Sequence, residues 1–157
     1  MTQNQAKLKI KNHIEKYGKQ TNFKISNKLI KYWWNILNAS VFDNVLIIPK
    51  FYIRPMRGAI AECVGIYYTN KDGSKDLEVE IHFNSDKKFT RQSFIAVLVH
   101  EMVHEWQYEN REDIMLENRM SHGGTFSQWR ETIEDIVGVK LETLMLEHDV
   151  LVKIVDN

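Results

Sequence analysis

A single cysteine, Cys63, is all the chain contains. That excludes an internal disulfide framework and any multi-cysteine zinc cluster, and it fits a reducing compartment. Proline is nearly as scarce, at Pro49 and Pro55 only. No Pro-, Gly- or Ser-rich linker, internal repeat or low-complexity tract divides the sequence. No apolar run approaches the roughly 20 residues of a membrane span, and the opening MTQNQAKLKIKNHIEKYGK holds no signal-peptide core. The expectation is a soluble cytoplasmic protein. At 157 residues and 43% hydrophobic composition, the chain is long enough for one domain with a substantial core.

Net charge is absent only as an average. Residues 1–60 carry eleven Lys and Arg against Glu15 and Asp43, a balance of +9, while residues 61–157 carry −9. A basic segment of this kind can meet DNA through its phosphates. The plainer expectation is that two helices put lysine on solvated outer faces and pack against an acidic remainder.

What is present is regular patterning. Residues 4–17 read as a helix with Leu8, Ile10, Ile14 and Tyr17 as its apolar stripe and Gly18 as its end. Ser26 caps a second helix, about Asn27 to Asn38, with Leu29, Ile30, Trp33, Ile36 and Leu37 at helical spacing and Trp33 and Trp34 as core and rim aromatics. Val45 to Ile53 is strand-like, although Pro49 demotes it to an edge or a bulge. Ala59 to Tyr68 and Leu77 to Phe83 flank an Asp72-Gly73 turn and predict an antiparallel hairpin. Thr90 begins a helix running to about Asn110, with Phe94, Ile95, Leu98, Met102 and Val103 buried. A last helix follows, with Thr125 and Gln128 as its capping box and Gly138 as its end, then a tail with the strand-like VLVKIV. The predicted class is α+β, a small three- to four-stranded sheet beside the helix that carries HEMVHEWQ. One domain spans 1–157: a basic helical segment 1–40, a core of about 27–137 and an extension 138–157.

HEMVHEWQ, His100 to Gln107, interrupts an otherwise apolar helix. On a helix, residues four apart share a face, so the imidazoles of His100 and His104 can converge on one zinc ion. Glu101 is rotated about 100° away. It sits beside the ion rather than on it, where it can take a proton from an attacking water and return it to a leaving amine. The bland reading is an amphipathic helix whose polar face happens to include two histidines. A catalytic zinc takes a third protein ligand. Gln107 and Asn110 stand where a metzincin has glycine and histidine, which excludes that class. Glu131 or Glu134 could serve as the third ligand, but His122 in SHGGTFSQW is the better candidate, because Gly123 and Gly124 let the chain turn sharply beside it. Three histidines also suit other divalent ions.

The HEMVHEWQ and SHGGTFSQW motifs together resemble the SprT-like zinc metallopeptidases, the Spartan-related minimal zincins. The upstream order is also similar: YWWNILNASVFDN, then a strand, then AECVGIYY, then LEVEIHFN. The likeness covers roughly residues 27–137. It implies a minimal zincin fold, zinc on His100, His104 and His122, and Glu101 as general acid and base. It also implies proteolysis of proteins attached to or bound on DNA. The cysteine-rich zinc module common in that family has no counterpart here, and residues 1–60 are the alternative DNA contact. The competing function is a non-catalytic DNA- or protein-binding module with a structural zinc. A polypeptide substrate would lie along Leu77–Phe83 as an edge strand, where Glu78 and Glu80 would favour basic sequences if their face lined the cleft. Glu105 is expected to be solvated rather than to orient a ligand histidine. Cys63 is expected to be a small buried hydrophobe and Tyr67 and Tyr68 packing residues. His13, His82 and His148 are expected to be bland, without partners at useful spacing.

Overall fold

The computed structural model describes residues 1–110 and 128–138, and the backbone of 151–156. Two helices come first, α1 (Gln3–Tyr17) and α2 (Asn27–Val41). Thr2 caps α1 in a reciprocal box with Gln5, and the Ser26 side chain accepts the Leu29 N–H to start α2. Ala6 and Ile10 are the fully buried positions of α1, whereas Leu8 is 59% exposed and does not belong to the stripe. The predicted stripe of α2 holds: Ile30, Trp33, Ile36 and Leu37 are buried, with Trp34 beside them.

Strand β1 (Lys50–Arg54) starts only after Pro49. The stretch before it is held by side chains instead of a ladder. Asn38 accepts the Leu46 N–H at 3.2 Å and donates to the Leu46 carbonyl at 3.3 Å. Glu109 accepts the Ile47 N–H at 3.1 Å. Backbone groups satisfied this way, next to a proline without an N–H, cannot pair in a sheet. The strand predicted from Val45 is therefore five residues long and begins at Lys50.

β2 (Ala61–Thr69) and β3 (Lys75–Asn84) form the expected antiparallel hairpin, with Ala61 opposite Phe83 and Thr69 opposite Lys75. Gly73 at the turn has φ of 84°, a conformation that favours glycine. β1 pairs parallel with β3, and β4 (Leu151–Asp156) pairs parallel with β2. The sheet order is β1-β3-β2-β4. This corrects the expectation that Leu77–Phe83 is an edge: β3 lies inside the sheet, hydrogen-bonded on both sides.

α3 (Arg91–Asn110) is started by a mutual Thr90–Ser93 cap, with the Ser93 N–H donating to Thr90 Oγ1 at 3.0 Å and the Thr90 N–H to Ser93 Oγ at 2.9 Å. Every residue from Phe94 to Glu105 is buried. α4 (Arg130–Val137) packs Ile133, Ile136 and Val137 inward and ends at Gly138. It begins later than predicted, with Trp129 at its N-cap and no side-chain cap; Gln128 is in a turn, and Thr125 lies outside the described residues. The architecture is α+β, a small mixed sheet with helices, compatible with a minimal zincin-like fold. Among the described residues no helix is long and apolar enough to cross a membrane.

Candidate metal centre

α3 crosses the sheet with β2 as its main support. Tyr108 donates its hydroxyl to the Cys63 carbonyl at 3.2 Å. Tyr67 in turn donates to the Tyr108 carbonyl. Gly65 leaves room for the Tyr108 ring, since a Cβ there would fall 2.6 Å from it. Tyr67 and Tyr68 are thus structural, Tyr68 through a 2.9 Å bond to Glu78. Cys63 is a buried free thiol whose pKa burial raises well above the ordinary value.

On this support His100, Glu101 and His104 are all buried. The two imidazole centroids are 5.2 Å apart, with the rings inclined at 76°. His104 Nδ1 lies 2.8 Å from Gln107 Oε1. An amide oxygen only accepts, so Nδ1 carries the hydrogen, and in the neutral ring Nε2 is the nitrogen with the lone pair. That is the tautomer a metal-binding imidazole needs. Gln107, expected only to mark the polar end of the helix, is buried and orients a candidate ligand. The signal was its spacing three residues after His104.

Burial, and secondarily the negative charge of Glu62 on β2, holds the Glu101 carboxyl well above the ordinary carboxylate range. A divalent cation beside it would act in the opposite sense. Glu105 is not solvated. It is fully buried and accepts the Trp34 indole N–H at 3.0 Å. Burial likewise raises its pKa well above the ordinary value. One turn on, Glu109 is raised to about 7, chiefly by burial.

His122 and His148 lie outside the described residues. Glu131 is exposed on the first turn of α4 and Glu134 is half-buried. Among the described residues no three His, Cys, Asp or Glu side chains gather into a metal site. His100 and His104 are the two described residues of the expected set that could hold a metal ion. Their burial, shared helix face and the His104 tautomer fit a zinc ion.

The remaining histidines have defined surroundings. His13 packs on Trp33, centroids 4.4 Å apart. His82 is not without partners: its Nε2 is 2.9 Å from Glu80 Oε1, and its Nδ1 accepts from Arg54 Nε at 2.9 Å. Glu78 meets Lys50, and Glu62 meets Arg54. Glu78 and Glu80 on β3 thus have partners within the fold, Lys50 and the His82 ring.

The chain matches the SprT-like family over residues 30–145. It belongs to that family. Membership suggests metallopeptidase-like chemistry, typically zinc-dependent. No curated protein and no solved structure matches the chain.

Proposed function

We propose that this SprT-like protein is a zinc-dependent metalloendopeptidase, with His100, His104 and His122 as metal ligands and Glu101 as the proton carrier. The observation that carries the reading is the buried His100–Glu101–His104 set on α3. Zinc held there supplies Lewis acidity toward water and toward a peptide carbonyl. The protein's part is positional. Gln107 fixes the His104 ring, and β2 holds α3 through Tyr108. Glu101 sits in a water-poor setting, and a cation beside it would favour the ionised carboxylate that can accept a proton. It takes a proton from the attacking water and delivers it to the leaving amine. Three expected protein ligands, rather than four, favour this enzyme over a structural zinc module.

DNA is the proposed macromolecular partner, with DNA-associated or DNA-crosslinked proteins as the substrate class. Two adjoining cavities, of about 470 and 460 Å³, share Asn22, Phe23 and Lys24. Their rims add Lys28, Lys87, Lys88 and Arg91. Cations from the basic first segment, from the β3–α3 connection and from the start of α3 thus line these neighbouring cavities, an arrangement suited to phosphates.

The deciding experiment is Glu101→Gln. The variant should bind zinc in the same stoichiometry as the parent while losing peptide cleavage by about 100-fold or more. Cleavage at the parent rate would overturn the assignment.

A further inference from the structure

Strand β2 is the strand bound to α3 beside the metal pair. Cys63 receives the Tyr108 hydroxyl, Gly65 admits its ring, and the charge of Glu62 bears on Glu101. One side of β2 is closed by β3. Its other side, from Val64 to Thr69, would be an open sheet edge if the hairpin and β1 were the whole sheet. An open edge presents a row of backbone N–H and C=O groups to any extended chain, and peptide capture by strand addition uses such rows. In this fold that row is taken. Leu151–Asp156 runs parallel to it, from Val64 opposite Leu151 to Thr69 opposite Asp156. The outer edges of the described sheet are β1, separated from β2 by β3 and beginning behind Pro49, and the far side of β4, one strand removed from β2.

We infer that β4 is an exchangeable resident of the β2 edge, a strand of the protein's own chain that an extended substrate displaces in order to pair directly with β2. The substrate half of this inference rests on the metallopeptidase reading above; the strand exchange does not. Backbone pairing of this kind has little side-chain selectivity, so an incoming extended segment can make the same hydrogen bonds that β4 makes. A tethered strand competes at an effective concentration of order millimolar. The protein therefore holds its own edge against dilute peptides and yields it to long unfolded segments that bind at several points.

Two measurements test this. The first needs no catalysis. Glu101→Gln protein is given isotopically heavy synthetic LVKIVD at concentrations up to several times the roughly millimolar effective value, and hydrogen–deuterium exchange of the chain's own residues 151–156 is followed. Exchange there should accelerate with peptide concentration while α1 and α2 stay protected. Unchanged exchange at the highest concentration would overturn the inference. The second is cleavage of reduced casein by zinc-loaded protein ending at Val150. Its KM should fall several-fold, and added LVKIVD should raise it again. A folded truncated protein with the parent KM would also overturn the inference. If truncation unfolds the protein, the exchange measurement alone decides. Exchange that accelerates in a protein whose zinc-loaded parent cleaves nothing would sink the peptidase reading and keep the strand exchange.

Discussion

At position 105 the chain places a carboxyl where water does not reach. Spacing alone puts Glu105 next to His104 and says nothing of the Trp34 indole, seventy-one positions away, that donates to it. Gln107 is the clearer case of a positioning residue. Its oxygen holds the hydrogen on His104 Nδ1 and so fixes how that ring is turned. Gln107→Leu should weaken zinc affinity about 10- to 100-fold, as loss of a ligand-orienting partner does elsewhere. Gln107→Glu, which keeps an acceptor, should recover most of it, and competition with a chelating dye reads both. Glu109 supplies a pH prediction. Its carboxyl titrates near the ordinary 4.5 when unfolded and near 7 when folded. Between those values the unfolded chain sheds its proton first, so stability falls as pH rises from about 4.5 toward 7 and remains lower above. Glu109→Gln keeps an acceptor for the Ile47 N–H and removes that slope. Denaturant melts of metal-free protein should show the variant gaining on the order of 1 kcal/mol at pH 8, allowing for solvent screening, and nothing at pH 4.

At the scale of elements, most caps and turns were written locally, the start of α4 being the exception. Ser26, Thr90 and the Asp72-Gly73 turn all act where their chemistry places them. These signals need only neighbours within a few residues. The ends that moved were those under distant control. β1 starts at Lys50 because Asn38 and Glu109 hold the backbone before it. The union of β2 with α3 depends on Gly65, where the Tyr108 ring lies within 2.6 Å of a would-be Cβ. Gly65→Ala must push back a buried ring tied by its own hydroxyl. It should cost about 1–3 kcal/mol and lower zinc affinity with stability, because α3 carries both candidate ligands. Urea melts with and without zinc measure the two together. A variant as stable as the parent would mean that the ring yields freely.

On the scale of the whole molecule, opposite charges are sorted along the chain and then partly reassembled. The first 60 residues hold +9, but the cation-lined groove also recruits Lys87, Lys88 and Arg91 from beyond them. The solvated-lysine expectation also holds for many positions, since most lysines of α1 and α2 are exposed. Exposure alone therefore does not argue for DNA; the proposal rests on the clustering. Lys24→Glu/Lys87→Glu/Lys88→Glu should weaken binding of a short single-stranded oligonucleotide at low salt at least tenfold. It should also flatten the slope of log affinity against log salt by about 2. Fluorescence anisotropy across a salt series reads both, and an unchanged slope would remove this groove as the DNA contact.

The linear chain determined the local elements and the candidate chemistry. Helical spacing joins His100 to His104, and the neighbouring Glu101 follows from the same period. The family was legible for a similar reason, since its motifs are short and keep their spacing. Tertiary structure decided whether that polar set faces water. An amphipathic surface helix and a buried active helix can carry the same HEMVHEWQ, but α3 has no solvent face from Phe94 to Glu105, so the bland surface reading falls. Tertiary structure also put β3 inside the sheet and β4 on the edge of β2. Burial and strand order arise from pairings between distant residues, and those pairings are set by packing the whole core rather than by the period of any one segment.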